Sequence, residues 1–309
     1  MSKFAMVFPG QGSQRVGMLS ELAQENPIVE ATFAEASAAL GYDLWQLVQN
    51  GPVEELNKTW ITQPALLTAS VAIWRVWQEK GGAMPALLAG HSLGEYSALV
   101  CAGVIDFTDA VKLVELRGKL MQQAVPEGTG AMAAIIGLDN DTIAKVCEQT
   151  AEGEVVSPVN FNSPGQVVIA GNKAAVERAS AACKEAGAKR ALPLPVRVPA
   201  HCVLMKPAAE KLAQTLETIT FNTPNIDVIN NVDAKIERDP NAIRQALVRQ
   251  LYSPVRWTDV VEYMDGQQVG FLLEAGAGKV LTGLTKRIVK TMSAEAINDP
   301  ATLAAALAK

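Results

Sequence analysis

The chain has 309 residues, 49% of them hydrophobic and 19% charged. That length suits about two domains, and that apolar content excludes a disordered chain. Lysine and arginine number 27 against 32 aspartates and glutamates, a net charge of −5, which argues against a general nucleic-acid binder. Residues 3–8 read as a buried strand ended by Pro9-Gly10. Residues 28–40 form an alanine-rich helix. Residues 64–77 form a second, with Leu66, Ala69, Ile73, Val76 and Trp77 near helical spacing and Gly81-Gly82 as its stop. A short strand at 85–89 precedes helices at 94–102 and 109–123, the latter opened by an acidic cap, Asp109. Strands alternating with helices predict a parallel sheet with helices on its faces.

Near Pro126 the grammar changes. Strands at 131–138, 155–161, 166–170 and 190–196 enclose helices at 141–150 and 173–186. That order is β-α-β-β-α-β, the ferredoxin-like unit. After Pro199 the helix-strand alternation resumes, with helices at 204–216, 242–251 and 279–289 and extended runs at 225–231 and 270–274. The expected organisation is one α/β domain, 1–125 and 199–309, interrupted by a small domain at 126–198.

No apolar run is long enough to span a membrane. The longest, 87–105, is broken by His91, Ser92 and Glu95. The opening residues lack the pattern of a signal peptide. Four cysteines without CxxC spacing suit buried thiols in a reducing compartment, so the cytoplasm is expected. With His91 and His201 the only histidines, no metal site is expected.

Gly90-His91-Ser92-Leu93-Gly94 is a GxSxG motif between a strand and a helix. A turn that sharp needs small neighbours and exposes the Ser92 hydroxyl, and the Leu93 N–H at the helix start suits an oxyanion. The plain alternative is a glycine-rich turn with an incidental serine. Of the two histidines, His91 is adjacent to Ser92, and successive side chains on an elbow point apart. His201 follows the inserted domain, where loops face a cleft, and is the favoured base. No aspartate stands out as a third triad member.

Arg117 is out of place. It falls on the stripe of Ala110, Leu113, Val114, Leu120 and Met121, with no carboxylate on its own helix facing it. A buried guanidinium needs an anion. Either a distant acid pairs with it, or its stem snorkels, or it clamps a substrate carboxylate. Two phosphate-loop lookalikes fail. Gly10-Gln11-Gly12 has Arg15 where the third glycine belongs, and residues 275–279 are followed by Val280 instead of Ser or Thr.

Residues 8–14, 90–96 and 160–166, with Arg117 and His201, together resemble the malonyl-CoA:acyl carrier protein transacylase family. The resemblance runs from Phe4 to about Arg287. It implies an α/β-hydrolase-like parallel-sheet domain with a ferredoxin-like insertion. It implies Ser92 as nucleophile, His201 as base, the Gln11 and Leu93 N–H groups as oxyanion hole, and the Gln250 main-chain carbonyl as the group orienting His201. Arg117 matches the arginine that binds the malonyl carboxylate; His91, Asn160, Asn162 and Gln166 match further substrate-binding positions. Lys189, Arg190, Lys286 and Arg287 match positions for the phosphates of carrier protein or coenzyme A, with solvated surface charge as the plain alternative. The implied partners are malonyl-CoA and acyl carrier protein, with no nucleic acid, no membrane, no cofactor beyond the coenzyme A thioester substrate, and a monomeric enzyme. Two positions depart from the family: Arg197 stands where a small residue is usual, and Ala277 where proline is common. The rivals are a serine hydrolase or thioesterase on a related fold, and a non-catalytic docking module.

Overall fold

The computed structural model describes residues 3–196 and 198–309. Arg197, singled out above, lies outside the described residues. Five strands, β1 (Phe4–Phe8), β2 (Leu87–Gly90), β7 (Val228–Ile229), β8 (Phe271–Ala275) and β9 (Ser293–Ile297), form a parallel sheet in the order β7-β2-β1-β8-β9. All five residues of β1 are buried, as a strand covered on both faces must be. Side chains alternate across it. Phe4, Met6 and Phe8 join the large core under helices Ile28–Leu40, Thr59–Glu79 and Phe107–Gln123, whereas Ala5 and Val7 join a second core with Trp257, Val260 and Leu281.

The second sheet contains β3 (Gly130–Ile136), β4 (Val156–Ser163), β5 (Gln166–Asn172) and β6 (Arg190–Pro193), antiparallel in the order β4-β5-β3-β6. Helices Asn140–Thr150 and Lys173–Glu185 cover one face through Ile143, Val146, Val176 and Ala179. The other face, with Met132, Val159 and Val168, packs on Cys202. The class is therefore the expected one: α/β, with a parallel sheet and a separate β-α-β-β-α-β antiparallel unit. The two are stitched at Val255, whose N–H donates to Val159 (2.8 Å) and whose carbonyl accepts from Phe161 (3.0 Å).

Several boundaries move, among them an extended run expected at 225–231 that is a strand only over Val228–Ile229. The helix expected from Pro64 starts at Thr59, because its first turn packs on Gly118, where an added Cβ would lie 2.5 Å from the Trp60 Cα. The helix expected from Asp109 starts at Phe107. Its cap is Asp106, which accepts from the Thr108 and Asp109 N–H groups. The strand expected to reach Val196 ends at Pro193. Helices Ser20–Glu25, Leu44–Asn50, Val53–Leu56, Trp257–Gly266 and Pro300–Leu307 and strand β9 have no counterpart in the sequence reading. Ala277 is 2% exposed in the large core. The helix start after residues 275–279 is filled internally: Glu274 accepts from the Thr282 N–H (2.7 Å) and the Leu281 N–H (3.2 Å), where a phosphate would otherwise bind.

Candidate active site

Strand β2 turns into helix Leu93–Cys101 within two residues. Ser92 takes φ 52°, ψ −108°, a backbone conformation few L-residues adopt. An added Cβ on Gly90 would lie 1.8 Å from the Gly94 carbonyl carbon, and one on Gly94 would lie 2.0 Å from the Phe8 carbonyl oxygen. Both glycines of the motif are thus sterically required. Asn231 straps the turn: its Oδ1 accepts from the Ser92 N–H (2.7 Å) and its Nδ2 donates to the Gly90 carbonyl (2.6 Å). His91 lines the same cavity as the hydroxyl, but its Nε2 is engaged elsewhere, 2.8 Å from Asn162 Oδ1. The loop after β1 presses on the elbow, since a Cβ on Gly10 would lie 2.5 Å from the His91 carbonyl oxygen. That contact brings Gln11 to the rim of a cavity of about 120 Å³ shared with Ser92, Leu93, Arg117, Asn160 and His201. Leu93 opens its helix, so its N–H has no intrahelical acceptor.

His201 Nε2 is 2.8 Å from Ser92 Oγ, and His201 Nδ1 is 2.7 Å from the Gln250 carbonyl oxygen. A carbonyl only accepts, so Nδ1 carries the proton and Nε2 offers a lone pair to the serine hydroxyl. His201 is 3% exposed. Burial first, and then the Arg117 charge, lower its pKa from 6.5 to about 3, so the ring is neutral at ordinary pH. Loss of water lowers the His91 pKa as well.

Arg117 is 1% exposed. Its Nη1 donates to Gln63 Oε1 (2.7 Å), and its Nη2 to Gln250 Oε1 (2.9 Å) and, at greater length, to Ser92 Oγ (3.3 Å). The Tyr96 ring lies 5.3 Å from the guanidinium carbon, and Nε has no partner. Among the described residues no carboxylate forms an ion pair with it. The snorkelling stem is ruled out by burial, and no acid pairs directly: two neutral amides hold the group, and the buried Glu95 reaches it only through Gln250. The close helix packing at Gly118 is what brings Gln63 within reach of the neighbouring Arg117.

Of the remaining expected positions, Asn160 lines the cavity, and its buried Oδ1 has no partner. Asn162 is bound to His91. Gln166 is not at the cavity; its Oε1 accepts from Arg287 Nη1 (2.9 Å) at the protein surface. Lys189, Arg190, Lys286 and Arg287 are exposed. In the small sheet Ile136 is paired with Gln166 on one side and Arg190 on the other. Arg190 and the Arg287–Gln166 contact therefore share one end of that sheet. Sequence reasoning missed Gln63, Glu95, Asn231 and the Gln250 side chain. Only Glu95 left a signal, as an acid on an otherwise buried helix one turn beyond Ser92. A larger groove of about 650 Å³ beside helix Lys173–Glu185 contains neither histidine nor arginine. Among the described residues there is no cluster of three or more potential metal ligands.

The family model described as an acyl transferase domain matches residues 5–301. The chain is 74% identical to the malonyl CoA-acyl carrier protein transacylase of Salmonella typhimurium over 307 residues, 99% of each chain. It is 46% identical to that of Bacillus subtilis over 308 residues, 99% of this chain and 97% of the other. A solved acyl carrier protein S-malonyltransferase from Vibrio cholerae is 71% identical, with TM-score 0.97 and 98% and 99% of the two chains covered. A structure described as a type II PKS acyl-carrier protein in complex with its malonyl-transacylase is 72% identical, with TM-score 0.99 and 99% of each chain covered. An elbow serine beside a neutral histidine, matched along nearly the whole chain at such identity, places this chain in the acyl transferase family, among its malonyl CoA-acyl carrier protein transacylases.

Proposed function

We propose that this chain moves a malonyl group from coenzyme A to the phosphopantetheine thiol of an acyl carrier protein, through an ester on Ser92, in fatty-acid synthesis. His201 Nε2 takes the Ser92 proton as Oγ attacks the thioester carbonyl. The Gln11 and Leu93 N–H groups receive the developing oxyanion. The tetrahedral intermediate collapses, the carbon–sulfur bond breaks, and the His201 proton passes to the coenzyme A sulfur. The carrier thiol then gives its proton to His201, attacks the malonyl ester, and leaves with the acyl group as Ser92 recovers its proton. Gln250, by its carbonyl, keeps His201 in the required tautomer, the part an aspartate plays in a triad.

Arg117 holds the malonyl carboxylate, and His91, Asn160 and Asn162 complete the acyl pocket. The basic residues Lys189, Arg190, Lys286 and Arg287 receive phosphate groups of the acidic carrier protein or coenzyme A. Residues 126–198 act as a small domain inserted between 1–125 and 199–309. The reaction needs no cofactor, and the reading is of a cytoplasmic monomer. No helix among the described residues is long and apolar enough to cross a membrane.

The observation that carries this reading is the buried Arg117, aimed at Ser92 and held by neutral partners. A hydrolase or thioesterase needs Ser92 and His201 but has no use for a buried guanidinium beside them that no carboxylate touches directly. Mass spectrometry of the chain mixed with malonyl-CoA is the test. It should show one malonyl adduct, on Ser92, which a carrier thiol discharges and which Ser92→Ala does not form. Release to water in preference to the carrier thiol, or an adduct that survives Ser92→Ala, would refute it.

A further inference from the structure

We infer that Glu95 is a positioning residue for both halves of the site: one of its carboxylate oxygens fixes the Ser92 elbow through Asn231 and the Arg117 clamp through Gln250. Glu95 is 2% exposed, one helical turn beyond Ser92. Its Oε2 accepts from the Asn231 backbone N–H (2.9 Å) and from Gln250 Nε2 (2.9 Å). Asn231 in turn bridges the Ser92 N–H and the Gly90 carbonyl, so the first bond anchors the strap across the elbow.

The second bond holds Gln250 in one of its two orientations, together with Arg117 and the Ser92 carbonyl. An amide has an oxygen end and an N–H₂ end of nearly equal shape. A carboxylate only accepts, so Glu95 draws Nε2 toward itself, and Oε1 is left facing Arg117, where a guanidinium requires an acceptor. Flipped, the same amide would set its N–H₂ against the guanidinium. Gln250 Nε2 also donates to the Ser92 carbonyl (3.0 Å), which ties the two branches together.

The charges facing Glu95 come from three elements: Arg117 on helix Phe107–Gln123, Asp233 in the loop after Asn231, and Arg249, which pairs with Asp233. Burial pushes the Glu95 carboxyl up to about 7, against the pull of the Asn231 and Gln250 bonds and of Arg117. Among the described residues no ion pair compensates that burial, so an acid at this position comes at a cost to stability. A residue needed only for packing would not carry that cost.

The inference rests on the proposed roles of Ser92 and Arg117, and the test separates the two. Single-turnover acylation of Ser92 is measured with malonyl-CoA and acetyl-CoA for the unmodified chain, Glu95→Ala and Glu95→Gln, each normalised to folded protein. Glu95→Ala should slow malonyl acylation by about 10²-fold, the effect of a small misplacement of the reacting groups. Its malonyl-to-acetyl ratio should also fall by about tenfold, as Arg117 loses an oriented partner. Glu95→Gln, whose single oxygen can accept both bonds, should recover at least about tenfold of the malonyl rate.

An unchanged ratio in folded Glu95→Ala, or a Glu95→Gln no faster than Glu95→Ala, would overturn the inference. If Glu95→Ala does not fold, the double-mutant cycle of Glu95→Gln with Gln250→Ala decides: the ratio changes should be non-additive, and additive changes overturn it. Failure of the unmodified chain to form a malonyl adduct would instead sink the proposed function, and this inference with it.

Discussion

Arg117→Ala removes a full positive charge beside Ser92. On the proposed reading the malonyl carboxylate makes two charge-assisted hydrogen bonds to this group, each contributing about 1.5–3 kcal/mol. Gln63 and Gln250 take one N–H from each terminal nitrogen, and the bond to Ser92 Oγ is the longest of the three. The remaining donors can therefore turn to a substrate carboxylate. Losing that pair should slow malonyl acylation by about 3–6 kcal/mol, or roughly 10²–10⁴-fold. Acetyl-CoA has no carboxylate, so its transfer should fall much less.

The structure adds a second readout. Arg117 helps to lower the His201 pKa, so the acid limb of acylation should move to higher pH in the variant. The Oε1 atoms of Gln63 and Gln250 lose their donor, but the vacated space opens to the cleft. Water can reach both, and the stability loss should stay below about 3 kcal/mol. The assay is stopped-flow or quenched acylation with both thioesters across pH, beside a denaturant titration. Equal losses for malonyl and acetyl transfer, with the acid limb unmoved, would refute the clamp and return Arg117 to a structural role.

His201→Ala should slow acylation by about 10²–10⁴-fold, and His91→Ala by less; the reverse order in single-turnover assays would exchange their roles. In the unmodified chain, protonating His201 removes the acceptor at Nε2, so acylation falls as pH drops through the folded pKa. That value is about 3 against the ordinary 6.5, so in Glu95→Gln, which removes the buried carboxyl that titrates near 7, kcat/KM for acylation should show no inflection near 6.5, and a limb there would contradict the assignment. Gly94→Ala should destabilise the fold by about 3 kcal/mol or more in urea titration, since its Cβ would meet the β1 backbone; a stability near that of the unmodified chain would show that the elbow has slack. Charge reversal at Lys286 and Arg287 should weaken use of carrier protein more than use of pantetheine thiols and flatten its salt dependence. Equal loss with both acceptors would point away from carrier docking.

What the sequence made legible follows from physics that is local in the chain. Gly90 and Gly94 flank Ser92 because no Cβ fits, and a steric demand of that kind is written within five residues. The scarcity of histidine narrowed the base to two positions. Arg117 stood out because an apolar stripe makes a lone charge conspicuous. Gln63, Asn231 and the Gln250 side chain were not legible. Their partners lie 54, 139 and 133 residues away, and an amide leaves no periodic or charge signature. The start of helix Thr59–Glu79 was hidden for a related reason: packing on Gly118 holds a turn that Pro64 alone would discourage. Strand β9, Ser-Ala-Glu-Ala-Ile, is an edge strand with only Ile297 buried, and it carries too little apolar pattern to announce itself.

Two of the bonds that Gln250 makes differ sharply in heritability. The one to Arg117 uses its side chain, so a single codon change can abolish it. The one to His201 Nδ1 uses the peptide carbonyl, which every amino acid at that position would supply. Genetic drift can therefore reach the acyl-group preference of this site at residue 250 while leaving the tautomer of its histidine untouched. A lineage exploring new acyl substrates through this residue would keep its histidine in the same tautomer at every step, an option closed to a triad whose histidine is held by a mutable aspartate.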